Sequence, residues 1–146
     1  MQIEVWNLKI STKGRYGLTI MIELARGYGD GPLSLKEIAN KNELSVHYLE
    51  QLATPLRNAG LVKSIRGAYG GYQLVNQPEE VLVGDIIRVL EGPITLVEGI
   101  EEEEPAQQNL WLRATEAVKE VLDSTNLLDL IEADNEKIEN SYMFYI

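Results

Sequence analysis

The stretch from Ser34 to Leu74 leaves this chain few ways to fold. Ser34-Leu35-Lys36-Glu37 pairs a helix-capping hydroxyl with a carboxylate on the third residue beyond it, the signature of a capping box. Leu35, Ile38 and Ala39 then share one helical face, and Asn42-Glu43 makes a turn. Ser45 caps the next helix, whose inner stripe is Leu49, Leu52, Ala53 and Leu56. Pro55 either kinks that helix or opens a new segment behind Thr54, and Gly60 closes it. Leu61-Val62-Lys63-Ser64-Ile65 and Tyr72-Gln73-Leu74-Val75 read as strands around Arg66-Gly67-Ala68-Tyr69-Gly70-Gly71. Two short helices and a glycine-punctuated hairpin are the layout of a winged helix-turn-helix, mainly α with a small β-hairpin wing.

The flanks extend that unit. Ser11 or Thr12 caps a helix to about Tyr28, with Tyr16, Leu18, Ile20, Met21, Leu24 and Ala25 on its buried face. Val83 to Leu90 forms a short amphipathic helix stopped by Gly92-Pro93. Glu101 to Glu104 reads as a solvated acidic loop, not a metal site, because neighbouring carboxylates diverge on any regular element. The longest helical pattern runs from about Ala106 to Asp123 and carries two apolar seams. Leu110, Ala114, Ala117, Val121 and Ser124 form one; Trp111, Val118 and Leu122 form the other. Two seams exceed what one small domain needs, so one is assigned to a second copy of the chain, with a helix fully buried within a monomer as the competing reading. Thr125 caps a last short helix, Leu127 to Ile131, followed by a polar segment and the tail Tyr142-Met143-Phe144-Tyr145-Ile146. The resulting division is 1–7, 8–92 for the winged unit, 93–132 for the linker and dimerisation helix, and 133–146 for the tail. Residues 1–7 do not join the pattern; they read either as read-through upstream of a non-AUG start at Leu8 or as a short N-terminal arm.

A formal charge of −10 argues against a partner as anionic as DNA until its distribution is read. Residues 1–72 hold nine Lys/Arg against six Asp/Glu, whereas residues 73–146 hold four against seventeen. The N-terminal half can therefore present a basic face while the acidic half stays away from phosphates. The absence of cysteine removes disulfides, thiolate zinc sites, cysteine-held iron–sulfur clusters and thiol switches. A single histidine, His47, leaves no histidine-rich metal site and no plausible triad. No apolar run approaches the ~20 residues of a membrane span, and the N-terminus lacks a signal-peptide pattern, so the expectation is a soluble, cytoplasmic chain. No nucleophile–base pair or phosphate loop is visible, and the wing glycines sit in a hairpin and do not open a helix. An enzyme is not expected; a protein-only interaction module is the competing reading.

In this motif the N-terminal part of the second helix reaches base edges. Ser45, His47, Tyr48, Glu50 and Gln51 are therefore the candidate groove residues. Gln51 can pair bidentately with adenine, and Glu50 can accept from cytosine or repel phosphate. Arg66, Gly67, Tyr69, Gly70 and Gly71 are expected at the minor groove or backbone, and Lys9, Lys13 and Arg15 at phosphates. Tyr72 is expected in the core and Tyr69 in solvent.

Ser11-Thr12-Lys13-Gly14-Arg15-Tyr16-Gly17, Tyr48-Leu49-Glu50-Gln51-Leu52, Leu56-Arg57-Asn58-Ala59-Gly60-Leu61-Val62, Arg66-Gly67 with Gly70-Gly71-Tyr72, and Gly84-Asp85-Ile86-Ile87 together resemble the Rrf2 family of bacterial winged-helix regulators. The resemblance covers nearly the whole chain from Leu8 and implies a homodimer on a palindromic operator. Many members hold an iron–sulfur cluster on cysteines after the Gly84-type helix; residues 93–108 contain none, so no cofactor is implied here. Leu90-Glu91-Gly92-Pro93-Ile94, Glu103-Glu104-Pro105-Ala106 and the aromatic ending are similar to the cysteine-less, Gram-positive branch that represses cysteine-synthesis and sulfur-assimilation genes. That branch implies a co-repressor, the cysteine synthase O-acetylserine thiol-lyase. Tyr142, Met143, Phe144, Tyr145 and Ile146 would bind it, the terminal carboxylate entering a pocket that O-acetylserine contests.

Overall fold

A computed structural model describes residues 9–144, with side chains described through Ile138. The expected N-terminal extension and the tail residues Tyr145 and Ile146 lie outside the described residues, as do the side chains of Tyr142, Met143 and Phe144. The order is α1 (Thr12–Arg26), α2 (Leu35–Asn42), α3 (Val46–Asn58), β1 (Val62–Ile65), β2 (Gly71–Leu74), a 3₁₀ turn (Pro78–Glu80), α4 (Val83–Glu91), α5 (Pro105–Asp123) and α6 (Leu127–Phe144).

The capping box at the start of α2 is present. The Ser34 hydroxyl accepts from the Glu37 N–H at 3.1 Å, and Glu37 accepts from the Ser34 N–H at 3.1 Å. Glu43 takes a left-handed conformation (φ 55°) and ends α2, setting the tight turn into α3. Pro55 is accommodated inside α3, and Gly60 (φ 79°) follows the Ala59 cap. Strands β1 and β2 pair antiparallel, Val62 opposite Leu74 and Ile65 opposite Gly71. Leu33 adds a bridge to Tyr72 through two backbone bonds of 2.9 and 2.8 Å, so the wing is anchored to the chain entering α2.

One core joins these parts. Ile20, Met21, Ile38, Leu49, Leu52, Leu56 and Ile86 are essentially inaccessible to solvent, and Val62 and Leu74 seal the wing end. Helix α4 lies on α1 at glycines. A Cβ at Gly17 would fall 2.0 Å from Leu90 Cδ1, and one at Gly14 would fall 2.7 Å from Glu91 Oε1. The two glycines of the Gly14-x-x-Gly17 spacing thus let the helices approach more closely than side chains would permit.

The C-terminal part corrects two expectations. Asn126, not Thr125, caps the last helix: its side chain accepts from the Asp129 N–H at 2.8 Å, and Asp129 accepts from the Asn126 N–H at 3.0 Å. Thr125 instead donates back to the Val121 carbonyl at 2.7 Å. Helix α6, expected to stop at Ile131, continues to Phe144. Its first turn is strapped to the segment before α4 by Leu127 N–H to Val81 O (3.1 Å) and Val83 N–H to Thr125 O (2.9 Å). Leu127 is fully buried, Leu130 and Ile131 pack on the core, and Asp134 meets Arg26 at 2.6 Å.

Helix α5 buries only Thr115 and is joined to α4 by an ion pair, Arg88 Nη2 to Asp123 Oδ2 at 2.5 Å. The hydrogen bond from Arg88 holds the Asp123 carboxyl below the usual carboxylate range. A lowered folded-state pKa contributes stability above the ordinary carboxylate range, and that contribution disappears as pH falls through the lowered value. Asp123→Asn should therefore be less stable than the parent near neutrality, with the gap closing in acid. Urea midpoints at neutral and acidic pH check this; a gap independent of pH would exclude the linkage.

Candidate nucleic-acid interface

The surface that can meet a nucleic acid begins at the N-terminus of α3. The Ser45 hydroxyl accepts from the Tyr48 N–H at 3.3 Å, so one of the helix's first amides is satisfied and the first turn is held in register. Ser45, Val46, His47, Glu50, Gln51 and Thr54 are exposed while Leu49, Leu52, Ala53 and Leu56 face inward, as helical periodicity demands. His47 and Gln51 lie one turn apart with their side-chain nitrogens 3.4 Å apart. Thr54 donates to the Glu50 carbonyl at 3.0 Å.

A groove of about 460 Å³ runs along this helix, lined by Ser34, Leu35, Lys36, Val46, Glu50, Thr54, Gly71 and Tyr72. It brings the N-terminus of α2, the outer face of α3 and the base of the wing to one place. Sequence reasoning did not single out Lys36, Val46 or Thr54. Lys36 stands one residue inside the capping box, but only the folded turn sets it beside α3. Val46 is 36% exposed and offers an apolar surface of the kind that meets a thymine methyl.

Some expected contacts have other work. Tyr48 is half-buried, its ring edge-on to Tyr16 at 5.9 Å and its hydroxyl donating to Thr12 at 3.3 Å. It leans toward α1 and belongs to the scaffold of the reading helix. Gly71 is spent on packing: a Cβ there would fall 2.4 Å from the Leu33 carbonyl oxygen, and its φ of 153° disfavours a side chain as well. Gly70 is similarly closed in, 2.1 Å from the Ile65 carbonyl oxygen by the same measure. The wing tip is open: Arg66 and Gly67 (φ 117°) are exposed, and Tyr69 is 95% exposed. Tyr72 packs against the core as expected.

Charge sorts the same way. Glu23 is 7% exposed and binds Arg26 at 3.1 Å and Lys41 at 2.8 Å, which removes those two cations from the free basic surface. Lys9, Lys13, Arg15, Lys36, Lys63 and Arg66 are exposed and, among the described residues, form no ion pair. A helix end, a wing and unpaired cations form a suitable surface for a DNA major groove and its flanking phosphates.

Helix α5 carries the second surface. Leu110, Leu112 and Val121 are 49%, 57% and 64% exposed, and Ala117 is exposed beside them. Trp111, Val118 and Leu122 are half-buried, and Ala114 lies between the two seams at intermediate exposure. The acidic linker is not wholly solvated: Glu103 accepts from Trp111 Nε1 at 2.9 Å, and the Glu101 and Glu103 carbonyls accept from Gln108 Nε2 at 3.2 and 2.7 Å.

Two substitutions separate positioning from reading. Lys36→Ala should weaken binding to all duplexes alike and lower the salt slope of log K by about 1. Gln51→Ala should cost about 1–3 kcal/mol on the preferred sequence and relax the preference at one base pair. Fluorescence anisotropy across a salt series and a set of single-base variants checks both.

The comparisons with known proteins agree with this geometry. A family model, Rrf2, described as an iron-dependent transcriptional regulator, matches residues 10–133. The chain is 67% identical over 140 residues to the HTH-type transcriptional regulator CymR of Bacillus subtilis, covering 95% of this chain and 100% of that one. It superposes with TM-score 0.83 and 69% identity on the structure of CymR (YrzC), the global cysteine regulator of B. subtilis, over 87% of this chain and 98% of that one. It also superposes with TM-score 0.75 and 60% identity on an oxidized form of Staphylococcus aureus CymR, over 84% and 95%. The family's iron dependence finds no matching donor set here. The chain has no cysteine, and the described residues contain no group of three or more His, Asp or Glu placed to hold a metal. The residues present therefore do not fit a cysteine-held cluster. With the fold and the family match in agreement, the chain belongs to the Rrf2 family of DNA-binding transcriptional regulators.

Proposed function

We propose that this protein is a dimeric repressor of cysteine-biosynthesis and sulfur-assimilation genes, acting without a cofactor in the cytoplasm. The observation that carries the reading is the 67% identity, over 95% of the chain, to the HTH-type transcriptional regulator CymR of Bacillus subtilis, together with the match to a structure described as that of a global cysteine regulator. The exposed stripe of Leu110, Ala117 and Val121 supports a second copy packing along α5. A two-fold pair of reading helices calls for an operator with matching two-fold symmetry. Oxidation of a thiol is not available as a signal to a chain without cysteine. The signal proposed instead is a protein: the cysteine synthase O-acetylserine thiol-lyase, engaged by the tail from Tyr142 to Ile146. Support for the tail comes from its sequence, an apolar ending with a terminal carboxylate that suits an amino-acid pocket.

Two experiments test the reading. Leu110→Glu with Val121→Glu should convert the dimer to a monomer in sedimentation and lower operator affinity at least tenfold, by loss of the second half-site (~1.4 kcal/mol per decade). Gel shifts on a sulfur-gene promoter should sharpen when the cysteine synthase is added and revert with O-acetylserine. If removal of Tyr145 and Ile146 leaves enzyme binding intact, the tail is not the docking element. If neither addition matters while the protein still binds DNA, the signal lies elsewhere.

A further inference from the structure

We infer that Glu91 is a positioning residue for the DNA-reading helix, acting on α3 through the N-terminus of α1. Helix α1 starts without a cap of its own: the Ser11 side chain makes no capping bond, and no acidic residue lies in its first turn. The carboxylate that meets this end comes from the last residue of α4. Glu91 Oε1 accepts from the Ser11 N–H at 3.0 Å and from the Gly14 N–H at 3.0 Å, and the Ser11 hydroxyl also donates to it. A carboxylate on otherwise unpaired amides at the positive end of a helix is favourable by both hydrogen bonding and dipole. Gly14 is required by this contact, since a Cβ would lie 2.7 Å from the Glu91 oxygen.

The same turn of α1 holds the reading helix. Thr12 accepts from the Tyr48 hydroxyl at 3.3 Å, and the Tyr16 ring abuts the Tyr48 ring at 5.9 Å. Tyr48 is the residue whose N–H the Ser45 cap holds, so the first turn of α3 is tied to the first turn of α1, and that turn to Glu91. On its other side Glu91 adjoins Gly92 (φ 88°) and the linker. The linker is bonded to α5 through Leu96 N–H to Thr115 Oγ1 (3.4 Å) and Trp111 to Glu103, and α4 is bonded to α5 through Arg88 and Asp123. Glu91 therefore stands where a displacement of α5 or the linker is passed to the helix that reads DNA.

The inference rests on α3 being the reading helix, and the test keeps the two apart. The full-length dimer, E91A, E91Q, Y48F and the E91A/Y48F double variant are titrated against two probes. One is the duplex that the parent selects from a random-sequence pool; the other is a scrambled duplex of equal length. Urea midpoints are measured alongside. E91A should weaken the selected duplex about tenfold and leave the scrambled duplex and its salt slope unchanged. E91Q, which keeps an acceptor oxygen, should recover most of the loss. The double variant should bind no more weakly than the weaker single variant, because both changes break one linkage. Parental affinity in E91A, additive losses, or equal losses on both duplexes with a lower urea midpoint would overturn the role of Glu91. A parent that selects no duplex would instead overturn the DNA reading itself.

Discussion

The close contact between α1 and α4 organises the rest of the molecule. Because Gly14 and Gly17 carry no side chain, α4 can press Leu90 and Glu91 onto the backbone of α1. That leaves the opposite side of α1 free to pack against α3, so one helix serves as the floor for both. Ile20, Met21 and Leu24 turn inward from that floor toward Ile38, Leu52, Leu56 and Ile86, and the wing closes the end through Val62 and Leu74. Helix α3 is held from three directions for this reason. Its inner stripe is buried, its first turn is capped by Ser45, and Tyr48 pins it sideways to α1. Interior packing at crystal-like density transmits small displacements instead of absorbing them, which is why contacts between α1 and α4 matter to a surface on α3.

A net charge of −10 is compatible with binding a polyanion because the charges are segregated and selectively paired. Cations away from the reading surface are neutralised: the buried Glu23 takes Arg26 and Lys41, and Asp134 of α6 adds to the same group. Lys13, Arg15, Lys36 and Arg66 are left without carboxylate partners among the described residues. The acidic excess sits on the linker, α5 and α6. There it repels phosphate and orients the domain on approach, an effect on association rate and specificity more than on affinity.

Much of this was legible in the residues because the decisive signals were local. Ser34 with Glu37, Ser45 before an apolar stripe, and Gly60 after α3 act within one or two turns, and each forms as read. The wing register follows from the apolar ends Val62 and Leu74. Most departures from expectation depend on contacts that only the fold makes; one is local, the Asn126–Asp129 capping box that takes the start of α6 from Thr125. Tyr48 looks like a groove residue from its place in α3, and only the fold sets Tyr16 and Thr12 beside it. Glu103 looks like one carboxylate in a solvated run until Trp111 comes round one helix later to donate to it. Past Ile131, helix α6 has a polar, acidic composition and offers no amphipathic stripe from which a helix can be read. Its continuation is supported by a start fixed to Val81 and Val83, and by Arg26 meeting Asp134.

The linker after α4, residues 93–104, contains no cysteine, and hydrogen bonds to α5 hold it. A cysteine-held cluster would tie the linker to itself through metal bonds. Here the tie is to α5: Leu96 to Thr115, Glu103 to Trp111, and the Glu101 and Glu103 carbonyls to Gln108. These are individually weak bonds, each contributing on the order of 1 kcal/mol. Helix α5 itself buries little, with Thr115 its one buried residue among those described. An element held by a few modest bonds and presenting an apolar face is easily re-biased by whatever covers that face. In the proposed dimer, a second copy seated on Leu110, Ala117 and Val121 would bias α5, so protein contact would act at this linker where cysteine ligands, absent from the chain, cannot.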